Sequence, residues 1–177
     1  IALITGSGQG IGKGIATAFA NHGARVVTAD RNLRNAMEVE SSLNEIVQNS
    51  MAIKVDVTNQ SSVNSMIQQV IQKFGRIDIL VNNAGGSRAR TDITETDLED
   101  FKGTFDLNLF GGFELMKLVI PSMKEQKWGR IINIASIWGR EYGGNISYMS
   151  AKAALIAATR HAAISVEKDG ILVNSMA

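Results

Sequence analysis

Two groups of residues in this sequence have types and spacings suited to chemistry. The first is Thr5-Gly6-Ser7-Gly8-Gln9-Gly10-Ile11-Gly12, set between a short apolar run and a helical pattern. Glycines allow a tight turn and a close backbone approach to a pyrophosphate. The amides and positive dipole end of the following helix then receive the charge. Gly6, Ser7, Gly10, Ile11 and Gly12 are therefore candidate dinucleotide contacts, against the competing reading of a glycine-rich turn with no ligand. Asp30 closes the second apolar run. A carboxylate there accepts hydrogen bonds from both ribose hydroxyls of an adenosine and repels a 2′-phosphate, which favours NAD over NADP. Arg31, next to it, pulls the other way, because a guanidinium holds phosphate well; its alternative is a solvated loop charge. The second group is Tyr148 and Lys152, one helical turn apart. A free phenol, with a pKa of about 10, is a poor base at neutral pH. An ammonium on the same helix face stabilises the phenolate and draws its titration toward neutrality. Acid–base catalysis of that kind is worth about 10²–10⁴-fold. Such a pair also occurs on ordinary helices.

The elements that must position these residues are legible from periodicity. Ile1–Ile4, Arg25–Ala29, Met51–Val55, Ile77–Val81, Arg130–Ile134 and Ile171–Asn174 are short, rich in Ile and Val, and apolar on both faces. That is the pattern of parallel strands covered by helices on both sides. Between them lie helical stretches at Ile11–His22, Leu33–Gln48, Ser61–Phe74, Asp97–Gln126 and Ser147–Lys168, with Gly23, Gly75 and Gly170 as C-terminal stops. Pro121, the only proline, is expected to kink or break the fourth. Repeated β-α-β units predict an α/β fold, a three-layer doubly wound parallel sheet, with residues 1–177 forming a single nucleotide-binding domain. Met66, Met116 and Met123 fit core packing, and His161 fits packing or an interface.

Composition narrows the function classes. There are no cysteines, which excludes disulfides, thiolate zinc sites and thiol catalysis. His22 and His161 are the only histidines and lie far apart, so no metal site is expected. Eighteen basic and 17 acidic side chains leave a net charge of +1, which offers no electrostatic footing for nucleic acid or an anionic membrane. No apolar run approaches the roughly 20 residues of a membrane helix. With no signal peptide visible, a cytoplasmic location is expected.

The order of further motifs makes a resemblance specific. The glycines at 6, 10 and 12 are followed by Asp56-Val57, Asn82-Asn83-Ala84-Gly85, Leu-Asn108-Leu, Ile-Ala-Ser136, Tyr148-Met-Ser-Ala-Lys152 and Val173-Asn174-Ser175. Over essentially its whole length the chain resembles the short-chain dehydrogenase/reductase family, its general pattern including the 3-oxoacyl-[acyl-carrier-protein] reductases. The resemblance implies a Rossmann fold and hydride transfer between NAD(P) and a carbonyl or secondary alcohol. It implies cofactor contacts at Asp56, Val57, Asn83, Ala84, Gly85, Tyr148 and Lys152. It casts Asn108, Ser136, Tyr148 and Lys152 as a catalytic tetrad, with Tyr148 as general acid/base and Lys152 also on the nicotinamide ribose. Ser136 would polarise the substrate oxygen, and Asn108 would support a water that links Lys152 to solvent. It implies a homodimer or homotetramer of the complete protein.

Taken singly, each residue has a plainer reading. Ser136 could be a helix cap, Asn108 locally bonded, and Asn82 and Asn83 turn residues. Segments 86–96 and 137–146 are expected to rim a pocket and supply Arg88, Arg90, Trp138, Arg140, Glu141 and Tyr142, either for an anionic substrate or as solvated surface. Arg130 matches one of two arginines that acyl-carrier reductases present to their partner, but Asp169 stands at the second place. Family chains continue past the strand ending at Asn174, so the resemblance implies a C-terminally truncated form, a fragment or a reduced relative. The alternatives to an active reductase are a cofactor-binding regulatory protein without turnover and a nucleotide-sugar epimerase.

Overall fold

The computed structural model describes residues 1–87 and 92–177, so Arg88 and Arg90 lie outside the described residues. Six parallel strands, β1 (Ala2–Thr5), β2 (Val26–Asp30), β3 (Met51–Lys54), β4 (Ile79–Asn82), β5 (Gly129–Ile134) and β6 (Ile171–Met176), form one sheet in the order β3-β2-β1-β4-β5-β6. The described helices are α1 (Gly10–Asn21), α2 (Leu33–Asn44), α3 (Gln60–Phe74), α4 (Leu98–Phe105), α5 (Gly111–Gln126) and α6 (Ile146–Val166). This is the doubly wound Rossmann arrangement that the alternating pattern predicts. Strand order reverses between β1 and β4, and at such a switch point the carboxyl ends of the strands open a ligand crevice.

Each face of the sheet has its own core. Leu3, Val27, Leu80 and Ile131 meet Met66 and Val70 of α3, Leu115 and Met123 of α5, and Val166 of α6. On the other face Ile4, Val26 and Val81 meet Ala16 and Ala20 of α1 and Val39 and Leu43 of α2. Side chains alternate between faces along a strand, so β1 feeds Leu3 to one core and Ile4 to the other. Met66, Met116 and Met123 are buried as expected, whereas His161 is exposed and packs into neither core.

The fourth helical stretch departs from expectation. Pro121 sits inside α5 without ending it. Its missing N–H costs one helical bond, but Leu115, Met116, Val119 and Met123 anchor the helix on the sheet across that point. The interruption lies earlier, at Asp106–Phe110, where the backbone widens to a π turn and the Gly111 N–H reaches back to Asp106 O. α2 ends at Asn44, short of Gln48, because Asn44 folds its side chain onto the Ser50 N–H (2.8 Å) to start the turn into β3. No described helix is long and apolar enough to cross a membrane.

Candidate active site

A cleft of about 530 Å³ opens at the carboxyl ends of the strands around the switch point. Gly6, Asp30, Arg31, Asp56, Val57, Asn83, Ala84 and Gly85 of the expected cofactor contacts line it, so the tertiary fold brings together residues from four separate turns. Gly6 has φ +64°, in the left-handed region where a side chain is strained. Gly12 is required by proximity, because a Cβ there would lie 2.3 Å from Gly6 O and 2.5 Å from Asn83 Nδ2. Gln9, ahead of α1, lines the cleft, and its side chain makes no cap bond, so it leaves the first-turn amides without a side-chain acceptor from that residue. Ser7 is different: it is fully buried, and its Oγ donates to Ile4 O (2.9 Å), so its side chain builds the turn. Ile11 is solvent-exposed.

Asp30 is held by two backbone amides, Gly8 N–H on Oδ2 and Asn32 N–H on Oδ1, both 2.9 Å. Each carboxylate oxygen keeps a second lone pair, so the group is oriented and still able to accept from a diol. Asp56 is held below the usual carboxylate range by the hydroxyl and N–H of Thr58, with a smaller contribution from the Arg31 guanidinium. Arg31 therefore faces a carboxylate already within the cleft.

The Asn82–Gly85 turn is stitched to the glycine turn through a residue to which the sequence reading assigns no role. Thr5 Oγ1 accepts from the N–H groups of Asn83 and Ala84, both 3.1 Å. Asn83 Nδ2 donates to Thr5 O (2.8 Å) and Gly6 O (3.0 Å). Asn83 thus shapes the cleft by tying its two walls together. No periodicity points to Thr5, because its hydroxyl matters only once β1 and β4 are neighbours.

None of the four expected catalytic residues lines this cleft, but Asn108 and Lys152 back its wall at Gly85. Lys152 is buried at 3% exposure, and its Nζ donates to Ile134 O (2.7 Å) and lies 5.5 Å from the Tyr148 ring centroid. Burial pushes its pKa down to about 8. A Cβ on Gly85 would lie 2.8 Å from Asn108 Oδ1 and 3.3 Å from Lys152 Nζ, so only glycine lets the cleft wall meet these groups. Asn108 sits in the π turn with its side chain fully engaged: Nδ2 donates to Gly86 O and Thr104 O, both 2.9 Å, and Oδ1 accepts from Gly86 N–H at 3.0 Å. Its side chain is thus spent on the cleft wall, and the locally bonded alternative describes its side-chain partners.

Ser136 is extended and caps the 3₁₀ turn Ile137–Gly139, its Oγ accepting from Trp138 N–H at 3.2 Å. That turn packs on α6 beside Lys152, and Trp138 meets the Tyr148 ring edge-to-face at 6.3 Å. Of the other rim residues, Tyr142 is largely exposed. Arg130 stacks on Trp128 and donates to Gly170 O, while Asp169 pairs with Lys124 at 2.9 Å.

Known proteins share both pattern and fold. The short chain dehydrogenase family model matches residues 1–177. The chain belongs to the short-chain dehydrogenase family. It is 36% identical to the 7alpha-hydroxysteroid dehydrogenase of Escherichia coli K12 over 177 residues, covering 99% of this chain and 69% of that one. It is 38% identical to the 3-oxoacyl-[acyl-carrier-protein] reductase of Synechocystis sp., covering 100% of this chain and 72% of that one. A solved structure of 7 alpha-hydroxysteroid dehydrogenase, complexed with NADH and 7-oxo glycochenodeoxycholic acid, superimposes with a TM-score of 0.94 at 36% identity, over 99% of this chain and 69% of that one. This short-chain dehydrogenase is accordingly an NAD(P)-dependent oxidoreductase acting on CH–OH groups. Its cleft fits a dinucleotide: Gly6, with its left-handed φ, and the oriented Asp30 carboxylate both line it, and Gly12 packs too close to Gly6 to carry a side chain.

Proposed function

We propose that this dehydrogenase interconverts a secondary alcohol and its ketone with Tyr148 as general acid/base. The observation that carries the reading is the buried Lys152 amine, fixed to Ile134 O, 5.5 Å from the Tyr148 ring and directly behind Gly85 of the cleft. A bound nicotinamide supplies or accepts the hydride. The chain's own residues do the rest. Tyr148 gives a proton to the substrate oxygen in reduction and takes it back in oxidation. Lys152 stabilises the phenolate by its charge and holds the nicotinamide ribose. Ser136 donates to the substrate oxygen while its Oγ keeps the Trp138 amide. Asn108 anchors Gly86 and so keeps the cleft wall against Lys152. Asp30, which lines the cleft and keeps acceptor capacity beside its two amide bonds, favours NAD. The exposed Phe110 and Phe113 on the α4–α5 stretch support association of the complete protein through those helices. Asp169, already paired with Lys124, supports no carrier-protein contact at that place.

The test is a spectrophotometric assay of NADH and NADPH oxidation against ketones and 3-oxoacyl thioesters, with Tyr148→Phe as control. The variant is expected to bind cofactor normally and lose nearly all turnover. Wild-type-like activity in Tyr148→Phe overturns the assignment, and cofactor binding without turnover on any carbonyl favours a regulatory protein.

A further inference from the structure

α6 carries Tyr148 and Lys152, yet its buried stripe has little shape with which to fix its position along the sheet. The stripe consists of Ser147, Ala151, Lys152, Leu155, Thr159 and Val166, with only Leu155 and Val166 as sizeable apolar side chains. Bulky side chains fix a helix by interlocking with their neighbours, and Ser147 and Ala151 offer little to interlock. Dispersion alone leaves a small-residue face free to slide. Directional bonds resist sliding, because a hydrogen bond weakens steeply once its angle is lost.

Such a bond exists two turns beyond Lys152. Asn133 of β5 is fully buried, and its Nδ2 donates to Thr159 Oγ1 at 2.9 Å. Thr159 Oγ1 donates in turn to Leu155 O (2.7 Å). Asn133 Oδ1 accepts from Asn82 Nδ2 (2.8 Å), whose other proton goes to Gly112 O (3.2 Å), and Asn133 Nδ2 also meets Met116 Sδ (3.4 Å). One buried polar chain therefore joins β4, β5, α5 and α6. These elements lead into the Asn83–Gly86 turn, Ser136, the stretch holding Asn108, and the Tyr148–Lys152 pair.

We propose that Asn133 and Thr159 form a clamp that sets the axial position of α6 on the sheet, and are positioning residues for Tyr148 and Lys152 relative to Ser136. This rests on the reading of Tyr148 as acid/base. The clamp lies three residues before Ser136 on one side and seven after Lys152 on the other. The Lys152–Ile134 bond is the second attachment between the same two elements. Two directional links along one helix fix both its translation and its rotation.

The experiment compares wild type, Thr159→Val, Thr159→Ser and Tyr148→Phe in steady-state kinetics, thermal melts and NADH titration by fluorescence. Valine keeps the volume and deletes the hydroxyl; serine keeps the hydroxyl. Thr159→Val is expected to lower kcat about tenfold and to change NADH affinity much less, within about threefold of wild type, because all the proposed cofactor contacts except Tyr148 and Lys152 lie on other elements. Thr159→Ser is expected to recover most of kcat. A folded Thr159→Val with wild-type kcat, while Tyr148→Phe is inactive, overturns the clamp and leaves the acid/base assignment standing. An active Tyr148→Phe overturns that assignment instead. If Thr159→Val does not fold, Asn133→Leu combined with Thr159→Val supplies an apolar pair. A folded, fully active double variant overturns the clamp; a folded one with lowered kcat supports it.

Discussion

Lys152 carries its charge at a cost that pH can read. Its pKa falls to about 8 because burial disfavours the ammonium. In the unfolded chain the same group titrates near 10.4. Between these values the unfolded chain binds more protons than the folded one, so this group's contribution to stability rises with pH. Below pH about 8 both states are protonated and the full cost of burying the charge is present. Lys152→Met removes the titration. Urea melts of both proteins are expected to show wild type gaining on the variant by roughly 3 kcal/mol between pH 7 and 10.5. A pH-independent difference would contradict the burial of a charged amine. The same residue shows how far local pattern reaches: the i,i+4 spacing to Tyr148 is visible in the sequence, whereas its bond to Ile134 O follows only from packing α6 on β5.

Among the elements, the 3₁₀ turn Ile137–Gly139 packs closely on the backbone of α6. A Cβ on Gly139 would lie 2.9 Å from Lys152 C and 3.0 Å from Ala153 N, both backbone atoms that cannot swing aside. Gly139→Ala is expected to push the turn off α6, to cost about 1–3 kcal/mol in chemical denaturation, and to lower kcat by moving Ser136 and Trp138 relative to Tyr148. Unchanged stability and turnover would show that the turn gives way freely. Element type was largely legible in advance, since β-branched runs and helical stripes alternate with glycine stops. The π turn at Asp106–Phe110 was not. A widened turn leaves no periodic mark, and Pro121 drew the expected break to the wrong place because α5's contacts with the sheet outweigh one missing bond.

For the whole molecule, the cleft at the β1–β4 switch point draws its lining from both halves of the sheet. A ligand that binds only the folded state at 100 times its Kd adds about 2.7 kcal/mol. NAD is therefore expected to raise the melting temperature measurably. Asp30→Ala should cut the rise given by NAD more than that given by NADP, because it removes the acceptor for the ribose diol while also relieving repulsion of a 2′-phosphate. Equal losses would count against Asp30 as the selector and shift attention to Arg31.

By itself the sequence determined the alternating α/β architecture, the glycine turn, the carboxylate at the end of β2 and the Tyr148–Lys152 pair. These are short-range matters: periodicity, spacing on one helix, and residue types at strand ends. Only the tertiary structure decided what those residues touch. It set the Ser7 and Asn83 side chains to building the cleft, engaged the Asn108 side chain with Gly86, and revealed Thr5, Asn133 and Thr159 as joints. A buried hydroxyl or amide finds its partner across the sheet, tens of residues away in the chain. That pairing depends on which strands become neighbours, a property that no local pattern carries.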